Sequence, residues 1–357
     1  MPDFGLPGPI LRCLDRGERR SAPLVRLGSA TQDSPASPLR TARPPFRLRS
    51  APPRCARRSA PLARLASARD METLRFTRPE LDGVHLHAEL RGDPRSPTVV
   101  LLHGGGANLH WWDEIAPSLA ERFRVVCLDF RGHGDSDHPE ALVVGAFHRD
   151  LEALVAELGY EDIALVGHSM GGHVALDFAA QHPRVWGLVA IEVSFGAAAR
   201  ERRRTRLALS LRRSYATRDE AVARYRLMPS TPGVSERVRE SLAEHSIREL
   251  PDGRFVYKFD PRWFGLPPPP YQRLDDVRCP SLLIRGERST LLTREGAESA
   301  VAKLPAARLI EISGAGHNVH LERPTEVIVA VTEHLSSHAR APGDAAILLE
   351  TAEDRTG

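Results

Sequence analysis

The stretch Ile163-Ala164-Leu165-Val166-Gly167-His168-Ser169-Met170-Gly171-Gly172 decides how the rest of the chain is read. Its first four residues are apolar on consecutive positions, the pattern of a strand buried on both faces. From Met170 to His182 apolar residues recur three and four apart, as on a helix. A serine between the two stands on a sharp turn whose crowded backbone leaves little space for neighbouring Cβ atoms, and Gly167, Gly171 and Gly172 supply that space. Its hydroxyl lies at a helix N-terminus, where aligned peptide dipoles favour developing negative charge. A Gly-x-Ser-x-Gly string alone arises often by chance. Flanked by strand and helix, it makes Ser169 a candidate nucleophile.

Two further segments bear on the same chemistry. His103-Gly104-Gly105-Gly106 follows the apolar run Thr98–Leu102. As an isolated string it reads equally well as an ordinary strand-to-helix turn. Beside a nucleophilic serine it reads as an oxyanion site, because acyl transfer needs fixed N–H donors and glycines let the backbone turn them inward. Gly105 and Met170 are the expected donors. Gly314-Ala315-Gly316-His317 follows the last apolar run, Leu309–Ile312, so His317 comes after the serine in chain order, as a base on a loop at the same sheet edge would. The chain has 15 histidines, and only position singles this one out.

From Thr98 onward short apolar runs alternate with amphipathic stretches, which predicts an α/β fold of parallel strands joined by crossover helices. Strands are expected at Thr98–Leu102, Val125–Leu128, Ile163–Val166, Leu188–Ile191, Ser281–Ile284 and Leu309–Ile312. Leu74–Phe76 and Val84–Leu90 alternate and predict an antiparallel edge hairpin. Helices are expected near Asp113–Arg122, Phe147–Leu158, Met170–His182, Arg294–Lys303 and Thr325–Ser336. The rhythm fails between Phe195 and Asp276, where Arg-rich helical segments, a turn at Pro251-Asp252-Gly253 and the extended Pro267–Pro270 run predict an inserted lid.

Taken together, His103–Gly106, Asp129-Phe130-Arg131-Gly132-His133-Gly134-Asp135-Ser136, Gly167–Gly172 and Gly314–His317 with Pro324 downstream resemble the α/β-hydrolase superfamily. The resemblance covers about residues 72–338. It implies a mostly parallel sheet of about eight strands, a helical cap inserted after the sixth, and a structural role for Asp129–Ser136. One feature departs from it. Many relatives carry the triad acid a few residues after the next-to-last strand, where this chain reads Arg285-Gly286-Glu287-Arg288-Ser289-Thr290 and has Thr290 in the usual place of the Asp. Glu192, after Val189-Ala190-Ile191, stands where haloalkane dehalogenases of the superfamily place a Glu. It is the favoured acid; Glu287, Asp275, Asp276 or no acid at all remain open. Ser169 in place of an Asp nucleophile disfavours dehalogenase or epoxide-hydrolase chemistry.

The expected activity is hydrolysis of a small carboxylic ester or related acyl compound through an acyl-enzyme, with Ser169, His317 and Glu192 as the triad. The same residues serve a carbon–carbon bond hydrolase, a lactonase or an amidase, and a non-catalytic ligand-binding protein on this scaffold is a further alternative. His103, Trp111 and Phe195 are candidate pocket residues. Aromatic residues at such places, Trp112 and Trp263 included, are more often plain packing.

Bulk properties narrow the field. The net charge of +3 is uneven: residues 1–70 hold 14 Arg and no Lys against 5 acidic residues, which leaves −6 over residues 71–357. The basic excess belongs to a leading segment, so a nucleic-acid partner is not expected. The four cysteines have neither zinc nor CxxC spacing and too low a density for a disulfide scaffold, which fits a cytoplasmic location. No apolar run approaches the ~20 residues of a membrane span, so no membrane partner is expected. No His or carboxylate cluster has ligand spacing along the chain, so neither cofactor nor metal is expected. The expected division is a disordered leader over 1–70, hydrolase core over 71–194 and 277–339, cap over 195–276 and a flexible tail over 340–357. The expected partner is a small-molecule substrate.

Overall fold

The computed structural model describes residues 11–14, 71–160, 162–195, 203, 207–211, 213–266 and 274–339. The tail, most of the leader and the Pro267–Pro270 run lie outside the described residues. Nine strands form one sheet: β1 (Leu11–Leu14), β2 (Met71–Phe76), β3 (Leu86–Arg91), β4 (Thr98–Leu102), β5 (Arg124–Asp129), β6 (Ile163–His168), β7 (Val185–Ile191), β10 (Ser281–Gly286) and β11 (Ala307–Ile312). Their order is β1-β11-β10-β7-β6-β4-β5-β3-β2. The six from β5 across to β11 run parallel, while β2 and β3 form the antiparallel hairpin at one edge. Each of β4, β5, β6 and β7 is buried along its whole length, as the apolar run at its centre requires.

Helices cover both faces. On one, α2 (Ala146–Leu158), α3 (Met170–Gln181) and α6 (Arg294–Lys303) bury Leu151, Leu154, Leu176, Phe178 and Ala297 against the sheet. On the other, α1 (Ala116–Leu119), α7 (Val319–Glu322) and α8 (Pro324–Ser336) contribute Leu119, Val319, Val327, Val331 and Leu335. After β4 the chain passes to β5 on one side and then to β6 on the other. This reversal opens a crevice at the carboxyl ends of the central strands, the place where open α/β sheets hold ligands.

Two departures from the sequence reading stand out. Leu11–Leu14, inside the segment expected to be a structureless leader, pairs antiparallel with β11 and covers its open edge. Four residues are too few to register as a periodic pattern. The insertion after β7 also contains strands that the sequence reading did not include. Besides α4 (Arg218–Arg224) and α5 (Glu236–His245) it holds a hairpin of β8 (Ile247–Glu249) and β9 (Phe255–Tyr257), closed at the expected Pro251–Gly253 turn. Each of the two helices begins at a hydroxyl N-cap, Thr217 or Ser235, whose oxygen accepts an N–H of the first turn. The insertion joins the core through a cluster in which Ala107 and Trp111 pack with Tyr225, Leu227, Leu242 and Leu321. Among the described residues no helix is long and apolar enough to cross a membrane.

Candidate active site

Ser169 links β6 to α3 with φ 50° and ψ −110°, a conformation that a side chain other than glycine rarely adopts. The surrounding backbone holds it there. A Cβ on Gly171 would lie 2.3 Å from the Leu102 carbonyl oxygen, and one on Gly167 would lie 2.4 Å from the Gly171 carbonyl oxygen. Only glycines allow this approach of α3 to β4. The Ser169 N–H donates to the Ile191 carbonyl at 2.9 Å, and its side chain makes no capping bond to α3 and remains half-buried. The hydroxyl is therefore not spent on capping α3.

Glu192, the residue after β7, also has a positive φ of 55°. Its N–H donates to the Ile284 carbonyl of β10 at 2.9 Å, which turns the side chain across the strand ends. The carboxylate is wholly buried. Its Oε1 accepts the Gly286 N–H at 2.7 Å, while Oε2 accepts the Ser289 hydroxyl and stands 3.0 Å from His317 Nδ1. Burial pushes the Glu192 carboxyl up, against the pull of the Ser289 hydroxyl and the Gly286 N–H. Burial likewise holds the His317 imidazole below its ordinary value, so it is neutral at pH 7 and able to accept a proton. With Nδ1–H directed at Glu192, the free lone pair is on Nε2.

The base loop is tied to the elbow by a residue that sequence reasoning passed over. His168 is buried and its Nε2–H donates to the His317 carbonyl at 3.0 Å; the two rings are 4.9 Å apart. Its other nitrogen abuts the glycine loop, since a Cβ on Gly104 would lie 2.7 Å from His168 Nδ1 and 3.5 Å from Ser169 Cβ. His168 thus touches both loops that flank the serine. Its position inside the Gly-x-Ser-x-Gly string was visible, but nothing in the string reports what the imidazole touches. Ser289 was missed for a similar reason: it falls in the segment noted for lacking an acid, and only the fold shows that it supports an acid from elsewhere.

The remaining expected residues divide. Gly105 and Gly106 are partly open to the crevice. The loop's backbone bond runs from the Ala107 N–H to the Gly104 carbonyl, past Gly105. Met170 is the first residue of α3 and its N–H has no acceptor within the helix. Phe264 and Leu209 of the insertion close over this loop: a Cβ on Gly105 would lie 2.9 Å from the Phe264 ring, and one on Gly106 would lie 3.0 Å from Leu209. Neither was expected.

His103 is not a pocket residue. It is fully buried, its Nε2 accepting the Phe130 N–H at 3.2 Å, which ties the end of β4 to the end of β5, and its Nδ1–H donating to the adjacent Gly104 carbonyl at 2.8 Å. Trp111 is buried at the joint with the insertion, its ring 6.3 Å from that of His168, and Trp112 is core. Phe195 is half-buried against the α3 side of the core, in edge contact with His173. Trp263 packs on Phe147, 4.6 Å between rings.

Glu287 faces outward, its Oε2 accepting the Ser313 hydroxyl and the Gly314 N–H, both at 2.8 Å. Asp275 and Asp276 lie before β10, at the opposite end of that strand from Gly286. The Asp129–Ser136 segment is a brace: Asp129 accepts the Leu109 and Asp135 N–H groups at 2.8 and 2.9 Å, and Arg131 pairs with the buried Asp150.

A sequence model of the α/β hydrolase fold matches residues 97–324, well over half of the chain. The chain belongs to the α/β-hydrolase fold family. At 41% identity it resembles an uncharacterized protein of Mycobacterium tuberculosis over 90 residues, which are only 25% of this chain and 26% of that one. It is 28% identical over 269 residues to the mouse sn-1-specific diacylglycerol lipase ABHD11, covering 69% of this chain and 83% of the relative. Among solved structures it resembles E-2-(acetamidomethylene)succinate hydrolase in fold, with a TM-score of 0.65 and 22% identity over 75% of this chain and all of that one. An α/β hydrolase from Novosphingobium aromaticivorans is 26% identical with a TM-score of 0.63, covering 74% of this chain and 98% of that one. In this α/β hydrolase the position after β10 that usually holds the acid carries Thr290, which is exposed.

Proposed function

We propose that this α/β hydrolase is a serine esterase acting on a small carboxylic ester or related acyl compound. The observation that carries the reading is the Glu192–His317 pair, 3.0 Å apart, held by His168 beside a serine on a strained turn at the head of α3. In the first step His317 Nε2 takes the Ser169 proton while the hydroxyl attacks the carbonyl carbon, and Glu192 stabilises the imidazolium that forms. The Gly105 and Met170 N–H groups receive the oxyanion. His317 then protonates the leaving alcohol, and water releases the acid by the same route. The names of two relatives support ester chemistry: the mouse lipase above and a putative esterase/lipase of Haemophilus influenzae, 25% identical over 68% of this chain and 84% of the relative.

The test is covalent labelling with a fluorophosphonate together with hydrolysis of p-nitrophenyl esters of graded chain length. Wild-type protein is expected to label and turn over short esters. Ser169→Ala is expected to lose labelling and about 10⁴ or more in kcat with its melting temperature maintained. A Ser169→Ala variant that keeps near-normal turnover would move the nucleophile elsewhere.

A further inference from the structure

On the sheet face that carries α2 and α3, His148 and Glu152 stand one turn apart on α2, and His182 ends α3. One ligand atom of each lies within 4.8 Å of those of the other two. Glu152 Oε1 is 3.4 Å from His148 Nε2 and 3.8 Å from His182 Nε2. Both separations exceed the reach of a good hydrogen bond. They approach the edge of a tetrahedron around an ion: bonds of about 2.1 Å put neighbouring ligand atoms about 3.4 Å apart.

The surroundings suit an ion as well. Asp177 Oδ2 stands 2.8 Å from His148 Nδ1, so an ion held by Nε2 would leave the other ring nitrogen facing a carboxylate. The His182 ring stacks on Phe178 at 3.8 Å and 16°, which fixes its direction. His148 is largely buried, and Glu152 and His182 are partly open to solvent, so an ion and a water can enter. Two imidazole nitrogens and one carboxylate oxygen are the ligand chemistry of zinc and similar divalent cations. Two carboxylates, Glu152 and Asp177, balance the charge.

We propose that His148, Glu152 and His182 bind a divalent cation of the zinc class that ties α2 to α3. The twelve residues of α3 put this site about 18 Å along the helix from Ser169, so the ion acts as a clip on the helix that carries the nucleophile and takes no part in the acyl chemistry.

The full chain, stripped of metal with a chelator, is titrated with zinc by calorimetry, and cobalt is used as a coloured substitute. One ion per chain is expected to bind with a micromolar Kd. The melting temperature is expected to rise by about 5 °C when zinc exceeds Kd a hundredfold, and cobalt is expected to show the strong visible absorption of a four-coordinate site. Glu152→Gln and His182→Ala should each weaken binding at least tenfold while ester hydrolysis persists, and His182→Gln, which keeps the side chain's bulk, should do the same if the alanine variant misfolds. Wild-type protein that takes up no zinc at about 100 μM overturns the proposal. So does binding that stays at full strength in the Glu152 and His182 variants, which would place the ion on other histidines.

Discussion

At the scale of single residues, the acid is the decisive assignment. Glu192 and Glu287 lie near the same sheet edge, and replacing either with glutamine removes one negative charge. Glu192 touches His317, whereas Glu287 accepts from Ser313 and Gly314. A carboxylate in that place holds the imidazole in the right tautomer and stabilises its charged form, so Glu192→Gln is expected to lower kcat by about 10²–10⁴ with little change in stability. Glu287→Gln is expected to keep most of its activity. Steady-state kinetics on one ester compares them directly, and equal mild losses would mean that general electrostatics, not contact with His317, is being measured. The same two residues show how the site was legible. The run Val189–Glu192 placed a carboxylate at a strand end, but the sequence left Glu287 open because chain position says nothing of which way a side chain turns.

At the scale of elements, the elbow depends on how closely α3 approaches β4. A Cβ on Gly171 meets two backbone oxygens, those of Leu102 at 2.3 Å and His103 at 2.6 Å, and neither can swing aside as a side chain could. Gly171→Ala must push α3 from β4 and displace the Gly104–Gly106 loop with it. Overpacking of this kind costs roughly 1–3 kcal/mol or more, and the expected result is a lower melting temperature and a fall in kcat of at least about tenfold, since small misplacements of catalytic groups carry large rate losses. Gly265→Ala is the control, because a Cβ there meets nothing within 4 Å and its φ is ordinary. It is expected to change stability by less than about 0.5 kcal/mol. Thermal melts of the two side by side decide the matter; equal behaviour would show that the elbow tolerates a Cβ.

At the scale of the whole molecule, buried histidines set the response to acid. Desolvation holds His103, His133, His168, His317, His320 and His334 below their ordinary value, His334 at about 4 and His133 at about 3. In the unfolded chain each titrates near 6.5. Between those limits the unfolded state binds more protons, so the stability they contribute is complete above about pH 6.5 and is lost as pH falls toward 4. Burial raises two carboxyls, Asp150 to about 6 and Glu192, and, against desolvation, Asp113 and Asp177 raise His110 and His148; these four act in the opposite sense, binding protons more readily when folded. The six lowered imidazoles outnumber them. The melting temperature is expected to fall by more than about 5 °C between pH 7 and pH 5, measured in chelator so that metal binding does not contribute. A flat profile over that range would show that the histidines admit protons without unfolding.

Local pattern alone determined the parallel strands and most of their bounding helices, and it singled out Ser169 and His317 as candidates, because each strand or helix is written in a short run whose apolar spacing answers to backbone geometry nearby. Thr98–Leu102 and Arg294–Lys303 have the bounds that their periodicity predicts. Three features needed the tertiary structure. Leu11–Leu14 joins the sheet only because β11 offers an open edge. His103, expected at the pocket, is consumed by its own loop at Gly104 and by the Phe130 N–H at the end of a strand distant in sequence. His182 comes next to His148 and Glu152 although thirty residues separate it from Glu152, because α2 and α3 pack side by side. Spacing along a chain reports neighbours on one element, whereas a carboxylate on an imidazole or three ligands around an ion are contacts between elements, and packing alone decides those.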